Sequence, residues 1–190
     1  MPRAGLDPAA VTEAAATLAD KIGLAQLSMS VVAGRLGVKA PSLYKHVDGL
    51  ADLTHRIAVL GATELGDALR DAMQGRSGRD ALDAALRTLR RFVRERPARY
   101  AAAVGVRPDG ADDPLSVALD RALSSFGAAL HGYPLAPDDR VHALRVLRSV
   151  VHGFATTEVS GGFRMGTDVE ASAAWLVEFL DRGFRTTARD

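Results

Sequence analysis

Cysteine is absent from the 190 residues, which excludes a disulfide framework and any thiolate metal site. No apolar run approaches the roughly 18 residues that a membrane span requires. The opening stretch MPRAGLDPAAVTEAAATLADKIGL carries Asp7, Glu13 and Asp20, so it lacks the uninterrupted apolar segment of a secretory signal. A soluble cytoplasmic chain is the expectation. Net charge is nearly absent as well, at +1. Residues 1–50 hold five bases (Arg3, Lys21, Arg35, Lys39, Lys45) against four acids (Asp7, Glu13, Asp20, Asp48). Any affinity for nucleic acid must come from where charges sit, not from bulk positive charge.

Catalytic constellations are missing too. There is no Ser-His-Asp spacing, no HExxH and no phosphate-cradling loop. The run Gly161-Gly162-Phe163-Arg164-Met165-Gly166 follows no strand and reads as a connection between helices. His142 and His152 stand ten residues apart, about 80° apart around one helix, and cannot share a metal without outside ligands. No metal and no cofactor are expected.

What remains is helix. Period-two alternation of β-branched residues is absent over any useful length, while Ala, Leu and Arg dominate. Asp7-Pro8 is a start signal, with a capping acid before a proline at the first helical position. The first helix ends at Gly23 and Leu24–Leu27 connects it onward. Further helices are predicted over 29–36, 40–46, from a cap at Asp48 toward Met73, and over 81–95, 97–105, 115–130, 138–159 and 168–184. GRSGRD (75–80), GVRPDGADDP (105–114) and HGYPLAP (131–137) read as loops. The fold expected is all-α, with about nine helices.

Residues 28–47, SMSVVAGRLGVKAPSLYKHV, carry the clearest chemistry. Val32, Ala33, Leu36, Val38, Leu43 and Val47 supply apolar contacts, and Gly37 sits where a positive φ is easiest for glycine. Two short helices joined around a glycine form a helix-turn-helix, whose second helix meets base edges in a major groove. Lys39 and Lys45 can reach phosphates, and Pro41 offers apolar surface to a thymine methyl. Ser42 can contact a base edge or phosphate, Tyr44 and His46 a phosphate, and Ser28 the backbone beside a helix N-terminus. The blander reading is a plain helical hairpin, with Tyr44 and His46 half-buried and the two lysines on a solvated face.

The stretch LSMSVVAGRLGVKAPSLYKHVDGLADL (27–53) resembles the TetR-type bacterial regulators, most of all in its Pro-Ser-Leu-Tyr run and the following histidine. The resemblance implies DNA-facing positions at Ser28, Lys39, Ala40, Pro41, Ser42, Tyr44, Lys45 and His46. It departs from the family at Asp48-Gly49-Leu50-Ala51, where many members carry a lysine. RFVRERPARY (91–100) with VVHGFATTEVSGGF (150–163) resembles a subgroup marked by a Trp-His-Gly triplet, here Val151-His152-Gly153.

That frame implies an N-terminal head (1–47) and an effector-binding and dimerisation domain (48–190). A single recognition helix reads few base pairs, so a homodimer on a palindromic operator is expected. Broad apolar stripes on the last two long helices offer the seam at Val141, Leu144, Val151, Ala173, Leu176, Val177, Leu180 and Phe184, with Trp175 and Phe179 beside them. A small-molecule effector is expected among the middle helices, at Phe92, Tyr100, Leu119, Leu123, Phe126, Arg148, His152 and Glu158. Repression and activation are both compatible with this sequence. A rival reading is a helical small-molecule-binding protein or enzyme whose N-terminal hairpin docks a partner.

Overall fold

The computed structural model describes residues 6–187. Arg3 and the outer bounds of the 1–47 and 48–190 division lie outside the described residues. Among those described, nine α-helices and two 3₁₀ turns carry the chain and no strand occurs. Packing divides it into two units, Met1–Thr63 with Glu95–Leu119, and Glu64–Arg94 with Asp120–Asp190.

In the first unit, α1 (Pro8–Ile22) starts where Asp7 accepts the Ala10 N–H at 2.7 Å. Gly23, at φ 90°, ends it. A 3₁₀ turn (Leu24–Gln26) leads to α2 (Met29–Leu36), which Ser28 caps by accepting the Val31 N–H at 3.3 Å. Gly37 then takes the left-handed conformation at φ 68°, and the Val38 N–H closes back on Ala33 O at 3.0 Å. This sharp stop frees the chain to begin α3 (Ala40–Leu43) in a new direction. The predicted third helix shortens here, because the His46 N–H bonds Leu43 O and tightens Tyr44–His46 into a turn. Helix α4 (Leu50–Met73) follows. Asp48 is not its cap: Gly49 accepts the Leu53 N–H, and Asp52 reaches back to take the Asp48 N–H at 2.9 Å. The unit is completed by α6 (Pro97–Gly105) and the first turns of α7 (Pro114–Ala129). Val11, Ala15, Val32, Ala33, Leu43, Val47, Leu53, Ile57 and Leu115 share one core.

In the second unit, α5 runs Gly78–Glu95 and begins three residues earlier than its sequence signals indicate. Gly132 packs against the backbone of Gly78, close enough that a Cβ on it would lie 2.7 Å from the Gly78 nitrogen. A second 3₁₀ turn (Leu130–Gly132) precedes α8 (Pro137–Val159), and α9 spans Val169–Thr186 behind a cap at Asp168. Arg90 is buried on α5 and ties three helices together. It donates to Glu158 of α8 at 2.7 and 2.6 Å and to Glu170 of α9 at 3.0 and 2.7 Å. Its guanidinium also lies 5.4 Å from the Phe154 ring centroid. Nearby in sequence to the C-terminus, Asp181 accepts from both Tyr133 Oη and Arg185 Nε.

These pairs set an acid limit. Hydrogen bonds from Arg99 to Glu13, from Arg90 to Glu170 and from Arg185 to Asp181 hold all three carboxyls below their ordinary range. Backbone N–H groups of Asp109 and Leu115 do the same for Asp113. A carboxyl with a depressed folded pKa contributes stability above its unfolded value and loses it as pH falls through the folded one. Melting temperature is therefore expected to be flat near neutrality and to drop steadily once pH falls below 4.5, the ordinary glutamate value. Calorimetry between pH 7 and 3 checks this; a melting temperature unchanged at pH 3.5 would contradict it.

Candidate nucleic-acid interface

Leu43 and Val47 anchor the recognition segment from below, the first fully buried and the second nearly so. With those two side chains fixed in the core, the residues between and before them face outward. Lys39, Pro41, Tyr44 and Lys45 are exposed, with Tyr44 at 56 %. Ser28, Ala40, Ser42 and His46 are half-buried. Tyr44 thus stands in solvent, against the plain-hairpin reading of it as a half-buried packing residue. Lys39 precedes α3 in extended conformation, and its carbonyl accepts the Ser42 N–H at 2.9 Å.

Sequence reasoning passed over several neighbours. Arg35 is exposed in the last turn of α2, and Val31, one turn earlier, is 41 % exposed. Arg35 adds a third base to the same short stretch as Lys39 and Lys45. Its signal was available, since it lies four residues from Val31 and shares that exposed side of α2. At the start of α4 the missing lysine is not replaced by a free base. Arg56 is engaged by Asp52 at 2.9 Å, and the Asp48 N–H is used by the same carboxylate. The N–H groups left to meet a phosphate there are those of the first turn itself.

The effector residues fall in different places. Phe92 and Phe126 are buried in the second unit, where Leu123 and His152 are half-buried. Tyr100 and Leu119 belong to the first. One of the expected positions needs correction: Glu158 is already committed to Arg90 and has no free carboxylate to offer a ligand, while Arg148 is exposed on α8. A groove of about 840 Å³ in the first unit lies between α1 and α4 and is lined by residues such as Ala9, Glu13, His55 and Leu60. None of the expected effector residues contributes to it.

The seam residues also need correction. Val151, Ala173, Val177, Leu180 and Phe184 are buried within the chain's own second unit, at 7 % exposure or less. They hold α8 and α9 in place and have no surface left for a partner. Leu144 and Leu176 are half-buried, and only Val141 of the eight is exposed. The outward apolar face is carried instead by Trp175, Phe179 and Val146, at 61, 53 and 47 %. The two aromatic rings stack, 5.3 Å between centroids and 14° from parallel.

Among the described residues no helix is long and apolar enough to cross a membrane. The profile of the tetracyclin repressor-like C-terminal domain matches residues 82–180. The HTH-type transcriptional regulator YobS of Bacillus subtilis is 29 % identical over 180 residues, covering 93 % of this chain and 91 % of its own. The HTH-type regulator Rv0681 of Mycobacterium tuberculosis is 32 % identical over 159 residues, covering 83 % and 72 %. Among solved structures, a Rhodococcus sp. RHA1 protein superposes with a TM-score of 0.82 at 20 % identity, over 98 % of this chain and 100 % of that one. A TetR variant of Acinetobacter baumannii in complex with minocycline gives 0.69 at 22 % identity, with the same coverage. The enzyme alternative raised by the sequence gives way to a regulator.

Proposed function

Since the chain belongs to the TetR family of DNA-binding transcriptional regulators, we propose that it is a homodimeric repressor, released from a palindromic operator by a small molecule. The observation that carries the DNA-reading surface is the outward set Lys39, Pro41, Tyr44 and Lys45 held over buried Leu43. Ser28, Ala40, Ser42 and His46 complete it at the edges. Residues 1–47 act as the head, and 48–190 as the effector and dimerisation domain. The exposed Trp175–Phe179 pair with Val141 and Val146 supplies the seam between copies. Buried Phe92 and Phe126, with half-buried Leu123 nearby in sequence, favour a largely apolar effector. Such a protein works in the cytoplasm, where chromosomal DNA is.

Lysine contacts to phosphate give a test with a distinctive signature. Each phosphate contact formed releases a counterion and steepens the salt dependence of binding by roughly 0.9 in log–log slope. Lys39→Ala with Lys45→Ala removes two such contacts per protomer, so the slope is expected to flatten by about 3 to 4 in the dimer. Affinity for the promoter DNA flanking its own gene falls at the same time. Titration at several salt concentrations measures both. An unchanged slope would remove these lysines from the interface.

A further inference from the structure

Arginine 99 is 4 % exposed, yet it belongs to α6, outside the helix-turn-helix. Its guanidinium is filled by one face of α1. Nε donates to Asp20 Oδ2 at 3.0 Å, Nη2 to Glu13 Oε1 at 2.6 Å and to Thr17 Oγ1 at 3.2 Å, and Nη1 to Glu13 Oε2 at 3.2 Å. Glu13, Thr17 and Asp20 follow at i, i+4 and i+7, the spacing that lines up side chains on one helix face. Asp20 does more. Its Oδ1 accepts the backbone N–H groups of Ala98 and Arg99, at 2.9 and 3.2 Å. It therefore caps the N-terminus of α6, where Arg96, the residue in the capping position, supplies no side-chain cap.

The same residue also meets α4. A Cβ on Gly61 would stand 2.5 Å from the Arg99 carbonyl oxygen, so the backbones of α4 and α6 touch there. Three helices thus converge on one arginine. An apolar contact of the same volume could hold α1 to α6 with equal or greater stability, since buried ion pairs repay their desolvation poorly. What the charged arrangement adds is register: the donors and acceptors coincide at one setting of α1 against α6. Val11 and Ala15 of α1 share their core with Val32, Ala33 and Leu43 of the reading motif, so the setting of α1 is the setting of α3.

We propose that Arg99 is a positioning residue for operator binding, a clamp that fixes α1, and with it the helix-turn-helix, at one setting against α6. The inference rests on the assignment of DNA reading to residues 28–46. Movement of α6 reaches the reading surface through this joint, and loss of the clamp leaves the head folded but loosely set.

The absence of cysteine permits a direct test on the full chain. Two nitroxide labels, at Lys21→Cys on α1 and Ala101→Cys on α6, are both exposed and report the α1–α6 distance distribution. Arg99→Met should broaden that distribution. It should also weaken binding to the duplex that the wild-type chain selects from a random pool by roughly tenfold or more, as expected when base contacts lose alignment. Binding to an unselected duplex at low salt should stay within about threefold, because phosphate attraction tolerates misalignment. Arg99→Lys, which keeps the charge, should recover part of the selectivity. If Arg99→Met fails to fold, Asp20→Asn decides by the same measurements, since it retains the Oδ1 acceptor and removes the charge. A folded variant with unchanged label distances, or with equal losses on both duplexes, overturns the clamp. A wild-type chain that selects no duplex overturns the reading of residues 28–46, and the label distances still judge the clamp.

Discussion

A chain carrying Trp175→Glu together with Phe179→Glu is expected to sediment as a monomer and to lose about a hundredfold or more in operator affinity, the scale of a lost bivalent linkage. The two rings are more than half exposed and stacked on α9, beside the exposed small residues Ala171, Ala174 and Gly183. Val141 and Val146 extend the apolar surface along α8. Stacked aromatics left in water are costly unless something covers them, and aromatic residues anchor interfaces through large area at little entropic loss. A second copy offers the same face in return, as a two-fold contact requires. Two carboxylates per protomer at the centre of such a seam would be desolvated without partners, and the copies would repel. In the proposed dimer each head reads one half-site, so affinity is expected to fall with the linkage while the helical content of the monomer stays intact. Sedimentation, circular dichroism and anisotropy on one preparation separate these effects. A variant that remains a dimer would place the seam elsewhere.

The sequence made the reading motif visible because its signals are local. Ser28 caps, Gly37 turns, and Leu43 and Val47 lie within twenty residues of them, so the geometry follows from short-range chemistry. The proposed seam was harder to place for the opposite reason. On α9 two apolar faces run at helical spacing: Ala173, Val177, Leu180 and Phe184 are buried, while Ala171, Trp175 and Phe179 are exposed. Hydropathy ranks the first stripe higher, and so it is the natural choice for an interface. The interior of the same chain takes it instead, and the aromatics on the adjoining face are left outside. Periodicity alone cannot say which of two apolar faces meets its own protomer. Buried Arg90 and Arg99 were missed because their partners lie 68 to 86 residues away in sequence. Nothing nearby marks an arginine as buried; only tertiary structure brings Glu158, Glu170, Glu13 and Asp20 to them. Asp48 misled in a smaller way, since Asp52 one turn later is better placed to take the orphan N–H.

Gly61→Ala is expected to destabilise the chain by about 2–3 kcal/mol, near the upper end for overpacking a tight contact. For a chain of this length that corresponds to a melting temperature lower by roughly 5–10 °C. The added methyl would lie 2.5 Å from the Arg99 carbonyl oxygen and 2.9 Å from its carbon. These are backbone atoms, so no rotamer change relieves the clash and α6 itself must move. Yet α6 is tied to α1 through Arg99, Glu13 and Asp20, and the displacement strains or breaks those bonds. Operator affinity should therefore fall by more than the unfolded fraction accounts for. Gly153→Ala is the matched control: it lies within α8, and nothing stands within 4 Å of an added Cβ. Replacing a mid-helix glycine in open space reduces the entropy lost on folding, so that variant should gain about 0.5–1 kcal/mol. Thermal melts of the two proteins should thus move in opposite directions from wild type. Equal melting temperatures would mean that α4 and α6 are not in backbone contact at Gly61, and would remove one of the three helices from the joint at Arg99.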